Sequence, residues 1–306
     1  MPITYQTLSD SNIASFTDGI SESSSLHERL AGYLQTGVVR PEWCWLALSP
    51  TGNILARHYW WSRAGSDRPF GIDDVSMEDH DTAVALIAYS RGQLKMDEAF
   101  CQVTIPVEEG DDPSRVHVGL VAALRDTGFS FEVARVSVEW TVGPVTIPDS
   151  SRLTFRPVRK LDDELLCSVF QSVADNSLDH GMIAGRNRFG AEKEARDRLD
   201  TALTYPGDSD WFSVAFDSEG GPVGYVVPAL IGDVSIVAEV GVVATRRGHH
   251  YVNDLLSWAT RKLAESGATR IVGDTDRGNT PMRAAFKRGG YREFRWRDDY
   301  SWLRPM

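Results

Sequence analysis

The chain has 306 residues, 42% of them hydrophobic and 25% charged, with a formal net charge of −11. These are globular proportions; the length suits two domains, since single cores stop growing near about 250–300 residues, and no apolar run reaches the roughly 20 residues of a membrane span. The acidic balance disfavours nucleic acid and anionic membranes as partners, and the opening Met-Pro-Ile-Thr-Tyr-Gln has neither the basic nor the apolar stretch of a secretory signal.

A short strand over Ile3–Leu8 leads toward a helix with its polar start near Ser9. Trp43-Cys-Trp-Leu-Ala47-Leu-Ser-Pro-Thr-Gly52 alternates as a strand and runs into a turn. Ser76-Met-Glu78-Asp79-His80-Asp81 precedes the helical run Ala83–Leu94, and Glu108–Ser114 reads as a charged loop. The turn residues of Thr146–Ser151 mark a boundary, which divides the chain into domains 1–148 and 149–306. Beyond it come a strand over Leu153–Pro157, a helix starting near Asp162, the segment Asn176-Ser-Leu-Asp179-His180-Gly181, and a strand from Trp211 toward Gly220. A strand over Ile236–Ala244 follows, then Arg247-Gly248-His249-His250-Tyr251-Val252-Asn253 and a helix over Val252–Ser266. Leu255, Leu256, Ala259 and Leu263 in that helix share its core-facing side, and Gly267 closes it. The last elements are a strand over Ala268–Gly273, Asn279-Thr-Pro281 as a helix start, and the closing Gly289-Gly290-Tyr291.

The two halves echo each other. Trp43…Ala47…Gly52 and Trp211…Ala215…Gly220 share residue types at the same offsets, as do Ala123…Gly128-Phe129 and Ala285…Gly290-Tyr291. In both copies a Trp, Trp140 or Trp302, follows that aromatic by 11 residues. Agreement at separate places predicts a tandem repeat of one fold. Each half alternates strands with helices, so the expected class is α/β with a mixed sheet and helices on its faces. Charge breaks the symmetry: residues 241–306 hold 13 Lys/Arg against 7 Asp/Glu, a local +6, which leaves −17 for residues 1–240. Three widely spaced cysteines, Cys44, Cys101 and Cys167, predict no disulfide framework, no zinc site and a reducing, cytoplasmic setting; Cys167 has apolar neighbours and reads as core.

From Val242 to Tyr291 the order strand, R-G turn, helix, strand, short helix resembles the acyl-CoA-binding core of the GNAT N-acetyltransferase superfamily. There, an R-G-x-G-x-G/A turn holds the CoA pyrophosphate on backbone N–H groups at a positive helix start. The resemblance implies two tandem GNAT-like folds, with acetyl-CoA or another acyl-CoA as co-substrate and no metal. It also implies a small-molecule amine as acceptor. It assigns the cofactor to Val242, Val243, Arg247, Gly248, His249, His250, Tyr251, Val252, Asn253 and Asn279, with Phe286 as an apolar wall. Departures from the pattern are Ala244 for a proline, His250 and Val252 for the small residues of the turn, and Phe286 where relatives carry a proton-donating tyrosine. The three carboxylates of Glu78–Asp81 would repel a pyrophosphate, so the first copy is expected to be degenerate.

Only a neutral amine attacks, so the reaction needs a base. Glu239, inside the apolar run Val234–Val243, is one candidate, because burial would raise its proton affinity. Its alternative is a partner cation. His180 is the other candidate, with an exposed position beside a capping Asp179 as its alternative. Asp274 and Asp276 read as capping or solvated. The missing small residues and donor also keep open a ligand-binding or scaffold protein, or an enzyme repurposed for other metabolite chemistry.

Overall fold

The computed structural model describes residues 2–8, 16, 23–63, 65–107, 116–142 and 152–305. The helix start near Ser9, the loop Glu108–Ser114 and the boundary Thr146–Ser151 lie outside the described residues. Among the described residues no helix is long and apolar enough to cross a membrane.

The structure is a mixed α/β fold with mostly antiparallel strand pairing, and it divides into two compact units. The first holds strands β1 (Thr4–Thr7), β2 (Cys44–Leu48), β3 (Ile54–Trp61), β4 (Gly71–Met77) and β5 (Glu98–Pro106), paired in that order. Its helices are α1 (Ser23–Thr36), α2 (His80–Gln93) and α3 (Val118–Asp126). The long strand β6 (Ser130–Thr141) follows. The second unit is built from β7 (Thr154–Pro157), helices α4 (Asp163–Ala174), α5 (His180–Phe189) and α6 (Ala191–Leu203), and strands β8 (Ser213–Phe216), β9 (Pro222–Ile231) and β10 (Val234–Val242). Helix α7 (Tyr251–Glu265), strand β11 (Arg270–Asp276) and helix α8 (Thr280–Arg288) complete its order before the last strand, β12 (Arg292–Leu303). The carboxylate of Asp162 caps α4 by accepting from Leu165 N at 2.8 Å.

The repeat is real at the level of hydrogen bonds. In one copy Gly52 N donates to Ser49 O and Ser49 N to Asn53 O; in the other Gly220 N donates to Asp217 O and Asp217 N to Gly221 O. Both glycines have φ above +80°, the left-handed region where a side chain is strained. The helix ends match too. Thr127 N, Gly128 N and Phe129 N close α3 on Ala123, Arg125 and Leu124, as Gly289 N, Gly290 N and Tyr291 N close α8 on Ala285, Lys287 and Phe286.

The two compact units are not consecutive stretches of the chain meeting near residue 148. The first unit takes back the chain from Arg297 onward, and the second, besides a short stretch from Pro106, takes up β6 from Ala134. Trp302 packs with Leu124 and Phe129 of the first unit, while Trp140 packs with Tyr291 and Phe286 of the second. Each copy's terminal strand thus completes the core of the other unit. Sequence offsets report the repeat but carry no information on which copy a strand joins.

Trp302 stacks under Arg91, whose guanidinium carbon is 3.7 Å from the ring centroid. A large core aromatic cut to alanine costs about 3–5 kcal/mol. Trp302→Ala should therefore lower stability by that order in chemical denaturation. Hydrogen exchange should loosen α2 and α3 while leaving α7 and α8 protected; the reverse pattern would restore the boundary near residue 148.

Candidate functional site

Strand β10 pairs antiparallel with β9, with a bulge between Val237 and Glu239. Below the bulge Val237 packs with Leu255 and Leu256 of α7; above it Val240 and Val242 keep that side. Gly241 and Val243 instead face α4: a Cβ on Gly241 would overlap Val173, and Val243 packs in the cluster built on α4 and α6. Strand alternation puts Glu239 on this same α4–α6 face.

On its other edge β10 is parallel to β11 at two positions only, Ser235↔Ile271 and Ile236↔Val272. Yet β10 continues to Val242 and β11 to Asp276. The strands part and leave an opening. Val243 N donates to Val223 O at 2.9 Å, so antiparallel alternation turns the peptide groups of Val240 and Val242 toward the opening. The Val242 carbonyl accepts from Arg247 Nε at 3.2 Å, so of that residue's peptide only the N–H remains for the opening. Val243 is not placed as expected: its N–H is spent on β9, and its carbonyl accepts from Arg246 N at 2.8 Å. The strand residue that points its peptide into the opening and was not anticipated is Val240; the two-residue period of a strand could have found it.

The turn after β10 has φ +85° at Gly248 and φ +60° at His250. A non-glycine residue held there costs roughly 1–2 kcal/mol. His250 is the N-cap of α7, and its side chain makes no capping bond. The first N–H groups of a helix lack intrahelical partners, and the dipole adds positive charge at that end. Gly248 faces open space, with nothing within 4 Å of where a Cβ would stand. His249 and His250 are exposed. Tyr251 and Val252 pack partly into the α7 cluster. Asn253 accepts from Arg288 Nε at 3.2 Å, which ties α7 to α8. Arg152 braces the turn from outside. It donates to His249 O at 3.3 Å, pairs with Asp254, and lies 5.0 Å from the Tyr251 ring. Its place just after the boundary segment gave no signal of this role.

The first unit retains the same divergence: β4 and β5 are parallel only at Gly71↔Phe100 and Ile72↔Cys101. Its helix start differs. Asp79 caps α2, accepting from Thr82 N at 2.8 Å and Thr82 Oγ1 at 2.5 Å. Those bonds lower the proton affinity of Asp79, so a fixed anion already occupies that position.

Two assigned cofactor residues have other duties. The Arg247 guanidinium donates to Val173 O at 2.6 Å, Asp175 O at 2.7 Å, Asn176 O at 2.9 Å and Val242 O at 3.2 Å. It closes the C-terminal end of α4, where carbonyls lack helical partners, and does not face the turn as a phosphate ligand. Phe286 is 2% exposed, edge-on to Tyr291, and packed behind Gly273; it is core and offers no wall to a ligand. Asn279 caps α8 by accepting from Met282 N at 3.3 Å. Tyr291 cannot replace the missing donor. Its hydroxyl bonds Thr260 at 2.7 Å, and burial pushes its proton affinity up.

Glu239 is partnered. Its Oε2 accepts from the Tyr225 hydroxyl at 3.0 Å and stands 3.6 Å from Arg198 Nη1. Burial raises its proton affinity, and Arg198 and Tyr225 offset only part of that rise. Arg198 also bonds Glu194 at 2.8 Å and lies 3.8 Å from Asp179. Asp179 caps α5, accepting from Met182 N at 2.8 Å. His180 begins α5, and its backbone N–H donates to Asp276 Oδ2 at 2.6 Å. Asp276 is neither solvated nor a local cap: it is 5% exposed, and burial raises its proton affinity. Among the described residues no group of His, Cys, Asp and Glu is arranged to hold a metal ion. Cys167 is half-buried and packs against the edge of the α4–α6 cluster, more open than the core position its apolar neighbours suggested.

No protein-family model matches the chain, and no curated protein matches it. Solved structures do. A GCN5-related N-acetyltransferase from Sphaerobacter thermophilus superposes with a TM-score of 0.60 at 14% identity, covering 99% of this chain and 96% of that one. A tandem GNAT protein from the clavulanic acid biosynthesis pathway covers 100% of both chains, with a TM-score of 0.51 at 13% identity. The glucosamine N-acetyltransferase region of a fungal multi-domain GH3 β-N-acetylglucosaminidase gives 0.53 at 13%, over 98% of this chain and 38% of that one. At these identities the likeness is one of fold, and the fold is the tandem GNAT fold.

Losing one net hydrogen bond costs about 0.5–1.5 kcal/mol, more where a buried group is left unmet. Arg247→Gln should therefore lower the melting temperature with no ligand present, by several degrees. Unchanged stability with weakened cofactor binding would return Arg247 to the phosphate.

Proposed function

We propose that the protein is an acyl-CoA-dependent N-acyltransferase, with acetyl-CoA as the default donor and a small amine as acceptor. The observation that carries this reading is the divergence of β10 from β11 beside an uncapped, left-handed helix start. The residues suit the cofactor: backbone at Gly248–Val252 and the α7 N-terminus for a pyrophosphate, and the peptide of Val240 with the N–H of Val242 for an amide-bearing arm. Bound acetyl-CoA would supply a thioester open to attack by an amine. Arg152 holds the turn in shape and adds positive charge beside it.

Glu239 receives the proton that the acceptor ammonium must lose. Its Oε2 is engaged by Tyr225 and Arg198, so the proton goes to Oε1. His180 is the other candidate; its backbone N–H is held by Asp276, and its ring acts electrostatically on the same carboxylate. The rival reading, a ligand-binding protein without transfer, is favoured by one observation: Phe286 and Tyr291, the aromatics nearest the family's donor position, are both locked in the core. Three free thiols fit a reducing, cytoplasmic setting.

Calorimetry should find one acetyl-CoA site per chain, weakened by salt, because Asp79 occupies the equivalent helix start of the first unit. Two sites, or none, would overturn the assignment. Turnover supplies the second test. A general base contributes typically about 10²–10⁴-fold, so Glu239→Gln should cut kcat at least roughly tenfold with acetyl-CoA affinity nearly unchanged. The wild-type rate should fall as pH drops through a value above the ordinary carboxylate range, since protonated Glu239 cannot take the proton. That acid limb should vanish in Glu239→Gln; its persistence would move the base elsewhere.

A further inference from the structure

The first unit has a cavity of its own, of about 490 Å³, within the roughly 300–1,000 Å³ of small-molecule sites. It lies between the end of α2 and the connection from β3 to β4, beside the start of β5. This is the closed end of the parallel pair, where Phe100 N donates to Phe70 O at 2.7 Å; Asp79 follows the other end of β4. The connection is particular to this copy. Residues 62–70 join β3 to β4, whereas Gly232 and Asp233 suffice to join β9 to β10.

Half-buried Phe70 and Leu94 with buried Met96 give the cavity an apolar floor, and exposed Arg63, Arg68 and Lys95 give it a cationic rim. Among the described residues no carboxylate stands within ion-pair distance of these three. Acids nearby are engaged elsewhere, Asp67 with Arg40 at 2.7 Å and Asp97 with Arg304 at 3.2 Å. Of the lining acids that leaves Glu98. Three cations against one anion give a local +2, in a chain of net −11. The connection is also held in place from within: Ser62 Oγ and Ser66 Oγ donate to Arg68 O at 2.8 and 3.0 Å, and Arg40 Nη2 donates to Ser66 O at 3.0 Å.

Lys95 stands there at a conformational cost. It follows the C-cap of α2 with φ +51°, in the left-handed region. Its counterpart after α7 is Gly267, with φ +99°. The hydrogen bonds correspond: Lys95 N and Met96 N close α2 on Gly92 and Arg91, as Gly267 N and Ala268 N close α7 on Ala264 and Leu263. Glycine is the usual residue at such a helix end. A lysine strains the backbone and contributes a charge to the cavity, and strain of this kind clusters at ligand sites.

We propose that this cavity binds a small organic phosphate, with its phosphoryl group at Arg63, Arg68 and Lys95 and its apolar body over Phe70, Leu94 and Met96. A phosphate monoester carries about −1.5 to −2 charges and three acceptor oxygens, which suits two guanidinium forks and an ammonium. A carboxylate brings one charge and leaves the excess half unmet. Binding here is independent of the acyltransferase reading.

The test is calorimetry of the full chain with phenyl phosphate, inorganic phosphate and phenol, with acetyl-CoA measured alongside. Phenyl phosphate should bind at least roughly tenfold more tightly than inorganic phosphate, which leaves the apolar floor in water, and phenol should not compete. Lys95→Gly and Arg68→Gln should each weaken phenyl phosphate at least roughly fivefold, the effect of one unit charge about 4 Å away in water. Glu98→Gln should tighten it by a similar factor, and acetyl-CoA affinity should stay unchanged in all three variants. Without ligand, Lys95→Gly should melt no lower than wild type, because the backbone there favours glycine. Equal affinity for the two phosphates, or phenyl phosphate affinities unmoved by Lys95→Gly and Glu98→Gln, would overturn the proposal. So would a lower melting temperature of Lys95→Gly with unchanged phenyl phosphate affinity, which would mark Lys95 as structural.

Discussion

Everything at the site depends on how briefly β10 and β11 touch. Two paired positions hold the strands together, and the bulge after Val237 then re-aims β10. A longer parallel ladder would consume the peptide groups of Val240 and Val242 and close the opening. The bulge also turns Glu239 toward α4 and α6; without it the carboxylate would face the Leu255–Leu256 side, among apolar groups with no cation to meet it. One irregularity thus exposes backbone on an edge and re-aims a charge on a face. Arg247 keeps the arrangement in place by binding the end of α4 and the carbonyl of Val242 together.

The duplicated core shows how little separates an uncapped helix start from one filled by its own carboxylate. Both units carry the brief parallel contact. In the first, Asp79 fills the helix start with its own carboxylate, within hydrogen-bond distance of Thr82. In the second, the N-cap is His250 in the left-handed region, a conformation that supplies no capping oxygen and carries strain. Strain of this kind persists only where the surroundings over-determine it, and Arg152, gripping His249 and Asp254 on either side, is the evident restraint.

Much of this was legible in the amino-acid sequence. Periodicity located β10, α7 and β11 to within three residues at either end, because burial on one face imposes a period that composition reveals. The duplication was legible because turn glycines and helix-closing glycines need the left-handed region, and Gly52, Gly220, Gly128 and Gly290 all adopt it. What was not legible depends on pairing at a distance. Which unit Trp302 joins is a matter of strand partners. That Arg247 caps α4 depends on carbonyls more than seventy residues away. Asp276 read as solvated because its neighbours in sequence are polar, while its burial comes from α5.

The pairing of Glu239 with Arg198 bears on how a base can work here at all. A carboxylate that met only apolar groups would hold its proton through neutral pH and could not accept another. A carboxylate fully satisfied by arginine would have too little proton affinity to be useful. Arg198 divides its charge among Glu239, Glu194 and Asp179, and at 3.6 Å from Glu239 it stands outside hydrogen-bond distance of that group. Burial then outweighs attraction, and the net rise in proton affinity is what remains. The three-way division also links Glu239 to Asp179: a cation drawn to Asp179 would lower the proton affinity of Glu239 and favour its ionised form. In the acyltransferase reading proposed above, arrival of a charged acceptor would therefore prepare Glu239 to act as its base.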